Sequence, residues 1–517
     1  MKIFSLKSLR LLRWCVIILL LIFFTAIFGG FVLYDQQIYK ALDYQFMPGV
    51  LSVAALGMAG AFGSMLLVAA VTAFCGRVYC SWCCPLGLLQ EVIERLDRKL
   101  FPKKVRTYRK GHNIFRAAFL VLLAALLFGG IALPLGYVEP YSLFGKISSY
   151  SIRQLLALLN GFTVNMPQSA IEDTTAWSMA LAISGGALLG LMVLVIWKGR
   201  IFCNTVCPAG SILAALSARS GKRLAIDTNK CVKCRKCEKV CNAHCINISD
   251  GQTIDFTRCF MCMECMASCP KDAIELVRRR KSDLVDADMP SMAERRKILL
   301  ATGIAAAGAL AVSKGVKKLP AATQLSDRAI VPPGAGSQER FLASCTGCGL
   351  CISNCKGKCL QWATNEYGWR GFMLPVMKFS GSNPGKCEYE CTACNNICPT
   401  GALIPLSLKR KKLYRIGLAE FYSDLCLACT DDYPCGACAE HCPTGALEMV
   451  EDAASGVTIP QVNTDLCIGC GNCEFACPVR PLAAIRIKPL KECNMAADPA
   501  EHRQKQSAKQ APSAIPF

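Results

Sequence analysis

The spacing of its cysteines constrains this chain more than any other feature. Cys231, Cys234, Cys237 and Cys241 form a C-x2-C-x2-C-x3-C array, and Cys259, Cys262, Cys265 and Cys269 repeat it, closed by Pro270. Four more arrays follow between residues 340 and 490. They are Cys345, Cys348, Cys351 and Cys355; Cys387, Cys391, Cys394 and Cys398; Cys426, Cys435, Cys438 and Cys442; and Cys467, Cys470, Cys473 and Cys477. Cys429 competes with Cys426 for the first place in the third of these. Disulfide frameworks use wider and less regular spacings. Zinc ribbons use paired C-x2-C units, four ligands at a time. Neither yields three cysteines two residues apart followed by a fourth.

That pattern lets one loop wrap three corners of an iron–sulfur cubane, while the fourth cysteine points to the neighbouring cluster. The arrays therefore predict about six [4Fe–4S] clusters, with all 24 array cysteines as iron ligands. In the first pair, Cys231, Cys234, Cys237 and Cys269 are expected on one cluster, and Cys259, Cys262, Cys265 and Cys241 on the other. Short β-like stretches precede both arrays, at 224–227 and 253–256. Asn242 and Lys356 stand where Pro closes other arrays, and Cys245 and Cys359 follow four residues after Cys241 and Cys355. The recurrence argues for shared design; Cys241 is expected to remain the ligand, with Cys245 a buried thiol. The tails after Pro399 and Pro443 both read Thr-Gly-Ala-Leu, as at the end of a ferredoxin binding helix, so residues 339–490 are expected to be two fused ferredoxin modules.

Hydrophobic residues make up 53% of the chain and charged residues 18%, with the apolar part gathered into blocks. Residues 14–33, 50–75, 117–138 and 177–197 are apolar runs of spanning length, which predicts four membrane helices. Trp177 and Trp197 fit rings seated at the two interfaces. The N-terminus carries Lys2, Lys7, Arg10 and Arg13, and the segment between runs two and three carries Arg95, Arg98, Lys99, Lys103, Lys104, Arg106, Arg109 and Lys110. The other connections hold only Lys40, and Lys146 with Arg153. Both ends of the helical unit and its middle loop are therefore expected in the cytoplasm. The net charge of +21 follows from these clusters. No helix-turn-helix or basic-helix pattern accompanies it, which excludes nucleic acid as a partner.

The two halves of the helical unit repeat. Gly76-Arg77-Val78-Tyr79-Cys80-Ser81-Trp82-Cys83-Cys84-Pro85-Leu86-Gly87 returns as Gly199-Arg200-Ile201-Phe202-Cys203-Asn204-Thr205-Val206-Cys207-Pro208-Ala209-Gly210. A parallel repeat predicts two helix pairs related by an axis along the membrane normal. On helices, Cys80 and Cys84 share one face, as do Cys203 and Cys207. Three roles stand open for these four thiols: holding a metal, cycling between dithiol and disulfide, or shaping a tight turn.

A further apolar stretch, 298–312, follows the basic run Arg278-Arg279-Arg280-Lys281 and the pair Arg295-Arg296. It is short for a span but suits a signal core, and twin arginines mark export of folded, cofactor-loaded proteins. It has no clean A-x-A site, and two fates stand open, cleavage as a signal or retention as a fifth anchor; residues 319–338 read as a linker. The domain plan is thus 1–221 (helical membrane bundle), 222–280 (two-cluster ferredoxin), 281–338 (basic segment, signal or anchor, linker), 339–490 (four-cluster ferredoxin-like domain) and 491–517 (polar tail). The fold class is multidomain: an α-helical membrane bundle with α+β ferredoxin-like domains.

With these motifs, residues 1–280 resemble the membrane ferredoxin of periplasmic nitrate reductase systems. That ferredoxin is related to the membrane domains of nitrous-oxide reductase regulators and copper-oxidase assembly factors. Residues 290–490 resemble the exported four-cluster ferredoxin that accompanies it, twin-arginine leader included. The resemblance implies an anaerobic respiratory role in the inner membrane, with residues 222–280 cytoplasmic and 339–490 on the outer side. Electrons would leave membrane quinol and pass through the clusters to a reductase, the chain being part of a quinol dehydrogenase rather than a stand-alone enzyme. It also implies a pairing of the first array with the fourth and the second with the third in residues 339–490. One cluster would then take Cys345, Cys348, Cys351 and Cys477, and another Cys387, Cys391, Cys394 and Cys442.

The alternative function is delivery of electrons for metal or thiol reduction during assembly of another respiratory enzyme. The chain has no Rossmann or P-loop fingerprint and no C-x2-C-H haem site. None of its four histidines (His112, His244, His441, His502) lies in a span, which excludes a bis-histidine haem there. His244 and His441 read as solvent-facing loop residues. Glu91 and Glu139, near span ends, are candidates for handling protons.

Overall fold

The computed structural model describes residues 6–31, 42, 45–56, 59–101, 107–109, 111–152, 155, 174–249, 251–278, 292–318, 329–381, 384–431, 433–452, 456–502 and 504. Lys2, Lys40, Lys103, Lys104, Arg106, Lys110, Arg153, the basic run from Arg279 to Lys281, and residues 319–328 of the linker lie outside the described residues.

The apolar runs fold as helices. Helix α1 is Leu6–Phe28, α2 is Phe46–Leu56 and α3 is Ala59–Cys75. The first copy of the repeat forms a one-turn helix α4 (Tyr79–Trp82) and then α5 (Pro85–Leu100). The third run is not one helix. Helix α6 (Asn113–Phe128) stops at Gly129, Gly130 adopts φ +82°, and α7 (Leu133–Val138) restarts with a proline in its first turn. Left-handed backbone ends a helix, and proline fits the first turn, where no N–H is needed. Next come α8 (Pro140–Lys146) and α9 (Thr174–Lys198), and the second copy of the repeat as α10 (Ile201–Thr205) and α11 (Pro208–Ser217). Among the described residues, Arg10–Phe28 and Leu181–Lys198 are the two helical segments long and apolar enough to cross a membrane.

Residues 222–278 form a small α+β unit. Strand β1 (Lys222–Ile226) pairs antiparallel with β4 (Ile274–Arg278), Ile226 opposite Ile274, and encloses the short pair β2 (Ile246–Asn247) and β3 (Thr253–Ile254). Residues 414–495 repeat that plan. Strand β7 (Tyr414–Phe421) pairs with β10 (Ile485–Met495) around β8 (Leu447–Glu451) and β9 (Thr458–Val462). Before them, β5 (Leu360–Trp362) pairs with β6 (Pro375–Met377). The sheets stay two-stranded because most of each unit is loop wrapped around cysteines.

The two units sit at opposite ends of α1. At its start, Arg13 donates to the Glu264 carboxylate (3.2 Å) and the Cys262 carbonyl (3.3 Å) of the first unit. At its finish, the Phe28 carbonyl accepts from the Ser353 hydroxyl of the second unit at 2.7 Å. A helix of 23 residues spans about 35 Å. The second unit is further fixed by Lys146, donating to the Thr346 carbonyl at 3.1 Å, and by Arg370, donating to the Gly130 carbonyl at 3.1 Å. The 298–312 stretch belongs to a continuous 27-residue helix α12 (Met292–Lys318), packed against α6 and leading from one unit toward the other.

The buried core is continuous from Phe24, Phe28 and Phe144 at one end to Phe256, Phe260 and Ile274 at the other. The first α+β unit therefore shares its apolar interior with the helices; residues 339–490 join that core through Leu350 and Ile397 and build further clusters of their own around Phe341, Phe379 and Ile485.

Candidate functional site

Four of the arrays curl into loops through residues between their cysteines that take left-handed backbone. Lys233, Arg235, Met261 and Met263 have φ of 54°, 58°, 51° and 59°. Such turns aim successive N–H groups inward and make a concavity suited to negative charge. One cavity is lined by Cys231, Cys234, Cys237 and Cys269, and a second by Cys259, Cys262, Cys265 and Cys241. These are the two sets expected from spacing. Backbone N–H groups point at sulfur, as from Ala273 to Cys269 (3.3 Å) and Met261 to Cys259 (3.5 Å). Four zinc-bound thiolates lie only about 3.8 Å apart, the geometry of bonds of about 2.3 Å at a tetrahedral centre. Among the described residues, no three His, Cys, Asp or Glu side chains are close enough to share one metal ion. Walled cavities with four thiols and inward N–H donors fit a [4Fe–4S] cubane instead.

The C-terminal arrays pair differently from the order implied by resemblance. Cys351 lies in the field of Cys348, Cys345, Cys394 and Cys398, and Cys345 in that of Cys398. Cys394 is surrounded by Cys387, Cys355 and Cys391. Cys473 faces Cys470, Cys467 and Cys442, and a cavity is lined by Cys426, Cys435, Cys438 and Cys477. The first array thus exchanges its last cysteine with the second, and the third with the fourth. This corrects the sets in which Cys477 joined Cys345 and Cys442 joined Cys387. The physical reason is chain locality: the strand pairs β7–β10 and β8–β9 close arrays three and four into one module and leave one and two to each other. Cys426, not exposed Cys429, lines the cavity.

Within each unit neighbouring sets adjoin. Cys265 feels both Cys241 of its own set and Cys237 of the next. Cys351 feels Cys394, Cys470 feels Cys387, and the Cys387 N–H donates to the Cys470 carbonyl at 3.0 Å.

The four thiols of the C-x3-C-P repeats converge. Cys80 and Cys203 lie on the one-turn helices α4 and α10, and Cys84 and Cys207 are the N-caps of α5 and α11. All four are buried, and Cys207 lies in the field of Cys203, Cys84 and Cys80. Burial pushes the Cys84 and Cys207 thiols well up and Cys203 to about 11. The arginines of the repeat cross over. Arg77 donates to the Cys203 carbonyl at 3.1 Å, Arg200 to the Cys80 carbonyl at 3.4 Å, and both guanidinium groups lie over the Phe260 ring at 4.5 and 5.1 Å. Their recurrence in both Gly-Arg pairs was the sequence signal for this role.

Comparison with known proteins agrees with this geometry. A 4Fe-4S binding domain family matches residues 57–106 and 179–226, one C-x3-C-P motif in each. A 4Fe-4S dicluster domain family matches residues 426–480, and a second 4Fe-4S binding domain family matches 253–275. The ferredoxin-type protein NapF of Escherichia coli is 31% identical over 158 residues, 30% of this chain and 84% of that protein. The chain belongs to the ferredoxin-type 4Fe–4S proteins. The methylamine utilization ferredoxin-type protein MauM of Methylorubrum extorquens is 32% identical over 202 residues, 38% of this chain and 89% of MauM. An uncharacterized protein of Methanocaldococcus jannaschii, MJ0749, is 31% identical over 214 residues, covering 40% and 68%. No solved structure is a significant match.

Several residues of this ferredoxin-type chain lie beside the array sets, among them Cys245, buried as its position predicts. Cys245 is buried with its sulfur 3.5 Å from Cys241, and Cys359 with its sulfur 3.8 Å from Cys355, so each adds a fifth thiol beside a four-cysteine set. His441 is exposed as expected, but His244 is not. Its Nδ1 lies 2.9 Å from the Thr107 carbonyl and its ring fills the turn at Gly199, so it serves packing between the helices and the first ferredoxin unit. Glu91 lies in a buried ion pair. Although burial opposes its charge, Arg200 and Arg13 hold its carboxyl below the usual range, and it stays ionised between them. Glu139 caps α8 through the N–H groups of Tyr141 and Ser142, and burial raises its carboxyl.

A Cβ at Gly87 would collide with the Cys80 carbonyl, and one at Gly210 with the Cys203 carbonyl. Gly87→Ala or Gly210→Ala is expected to cost about 1–3 kcal/mol, the usual range for overpacking. Thermal unfolding followed by circular dichroism checks this; an unchanged midpoint would show that the turns have room to spare.

Proposed function

We propose that this protein is a membrane-anchored electron-transfer subunit that takes electrons from membrane quinol and passes them through six [4Fe–4S] clusters to a partner reductase. The observation that carries the reading is the succession of four-cysteine sets within each half, neighbouring sets lying in each other's field. Such clusters supply reversible one-electron storage, and the chain's own residues hold them, shield them from water and donate N–H groups to their sulfurs. Four spans, with α12 as a fifth crossing, are supported by the length of α1 and α9 and by the exposure of Leu19, Ile22, Leu189, Leu299 and Ile304. The exposed faces are apolar where a soluble protein would be polar. Basic residues at the start of α1 and the end of α5 favour a cytoplasmic first unit, and the attachment of the second unit at the far end of α1 favours the outer side for residues 339–490.

Two measurements test this. Protein purified without oxygen should carry at least about 24 irons per chain, six cubanes; a zinc-dominated preparation would sink the cluster assignment. In anaerobic membranes, a reduced quinone analogue should reduce the clusters at turnover rates, read by paramagnetic resonance. Clusters that dithionite reduces but quinol does not would remove quinol as donor and favour electron delivery in enzyme assembly.

A further inference from the structure

The first ferredoxin unit and residues 339–490 lie at opposite ends of the helices, so a line of six clusters is broken in the middle. We propose that Cys80, Cys84, Cys203 and Cys207 hold a further iron–sulfur cluster that carries electrons between the two halves. The inference rests on the electron-transfer reading above and adds the site that makes it continuous.

Position is the first support. Arg200 lies in the field of both Cys203 and Cys262, so the first ferredoxin unit adjoins the four thiols on one side. The Ser81 hydroxyl, beside Cys80, donates to the Phe260 carbonyl at 2.9 Å, inside the array of that unit. On the other side, Glu139 lies in the field of Cys84 and of Cys348. Lys146 reaches the Thr346 carbonyl there, next to Cys345. The thiols therefore stand between Cys262 of one half and Cys348 of the other.

The site is also built like a ligand set. Two repeats deliver two sulfurs each, from a one-turn helix and from the N-cap after it. Gly210 N–H donates to the Cys207 sulfur at 3.3 Å, and the Gly87 N–H bonds to Cys84 at the equivalent place. The buried cations Arg77 and Arg200 sit beneath, where four thiolates would otherwise be uncompensated. Gln90 gives an independent sign. Its Oε1 lies 3.4 Å from the Cys203 sulfur, while its buried Nε2 has no partner. A thiolate at Cys203 accepts from the same amide turned end for end, which satisfies the orphaned N–H. Among the described residues no three such side chains group closely enough to hold one metal ion, and a polynuclear iron–sulfur centre is the ligand that suits four converging thiolates spaced more widely than that.

The chemistry balances simply. Loading the site releases one proton from each thiol. In turnover, a cluster held by the four thiolates would take one electron from the cluster that Cys241, Cys259, Cys262 and Cys265 would hold. The electron then passes to iron held by Cys345, Cys348, Cys351 and Cys398. No bond breaks and no proton moves in the transfer between clusters; the quinol that supplies the electrons loses two electrons and two O–H protons as it becomes quinone.

The test is an iron and sulfide count on full-length protein, purified without oxygen, beside Cys84→Ser/Cys207→Ser. The wild type should carry two or four irons above the roughly 24 of six cubanes. The double variant should fall back to about 24 with the resonance spectrum of the remaining clusters unchanged, and Cys83→Ser should keep the full count. A wild-type count of about 24 overturns the proposal, whatever the variant does, and leaves the six array clusters standing. A wild-type count far below that is the failure of the cluster reading itself.

Discussion

Glu91→Gln is expected to destabilise the protein by about 3–5 kcal/mol and to loosen the first ferredoxin unit from the helices. That is the range for removing one partner of a buried ion pair. Glu91 has no exposed surface, pairs with Arg13 at 2.9 Å and with Arg200, and accepts from the Asn242 amide at 3.1 Å. It therefore joins α1, α5, the turn before α10 and the loop after Cys241. The amide keeps the shape but leaves Arg200 buried without its counter-charge. The sign of the pH dependence follows. A carboxyl held below its usual value stabilises the fold above the unfolded value of about 4.3, and that contribution is lost as pH falls through the lower folded value. The wild type should therefore weaken only in acid, while Glu91→Gln is weakened at pH 7 and shows a flatter acid limb. Thermal unfolding from pH 3 to 8, with limited proteolysis in 279–291, measures both. A variant as stable as the wild type at pH 7 would mean that the cluster of charges is an incidental contact.

What the sequence made legible was whatever is fixed by short-range spacing. The arrays specify their own loops, so the sets at Cys231 and Cys259 emerge as expected, and the C-x3-C-P repeat places its four thiols together because each copy builds the same turn. The third apolar run shows the opposite case. Its composition reads as one span, but Gly129, Gly130 and Pro134 divide it, and hydropathy carries no information about that break. The pairing of arrays in residues 339–490 was hidden for another reason. Any fourth cysteine satisfies the local rule, and only the strand pairing decides which neighbour receives it. Arg77, Arg200 and Glu91 were equally hard to read, since a charge beside an apolar run looks like a membrane-flanking residue until its buried partners are known.

The pairing itself has a sharp consequence. Cys345→Ser with Cys398→Ser should cost about four irons per chain, because both remove ligands from one cubane. Cys345→Ser with Cys477→Ser should cost about eight, because each disables a different one. Non-additivity is the signature of residues acting on one centre, and additivity of residues acting on separate centres. Serine keeps the volume of each position, and the cavity of Cys426, Cys435, Cys438 and Cys477 lies in a module with its own strand pairs, so losses should not spread between modules. Iron and sulfide analysis with resonance spectra of the reduced protein reads the result. The opposite outcome, with Cys345 and Cys477 jointly costing four irons, would restore the first-with-fourth pairing and require the loops around Cys398 and Cys477 to exchange places.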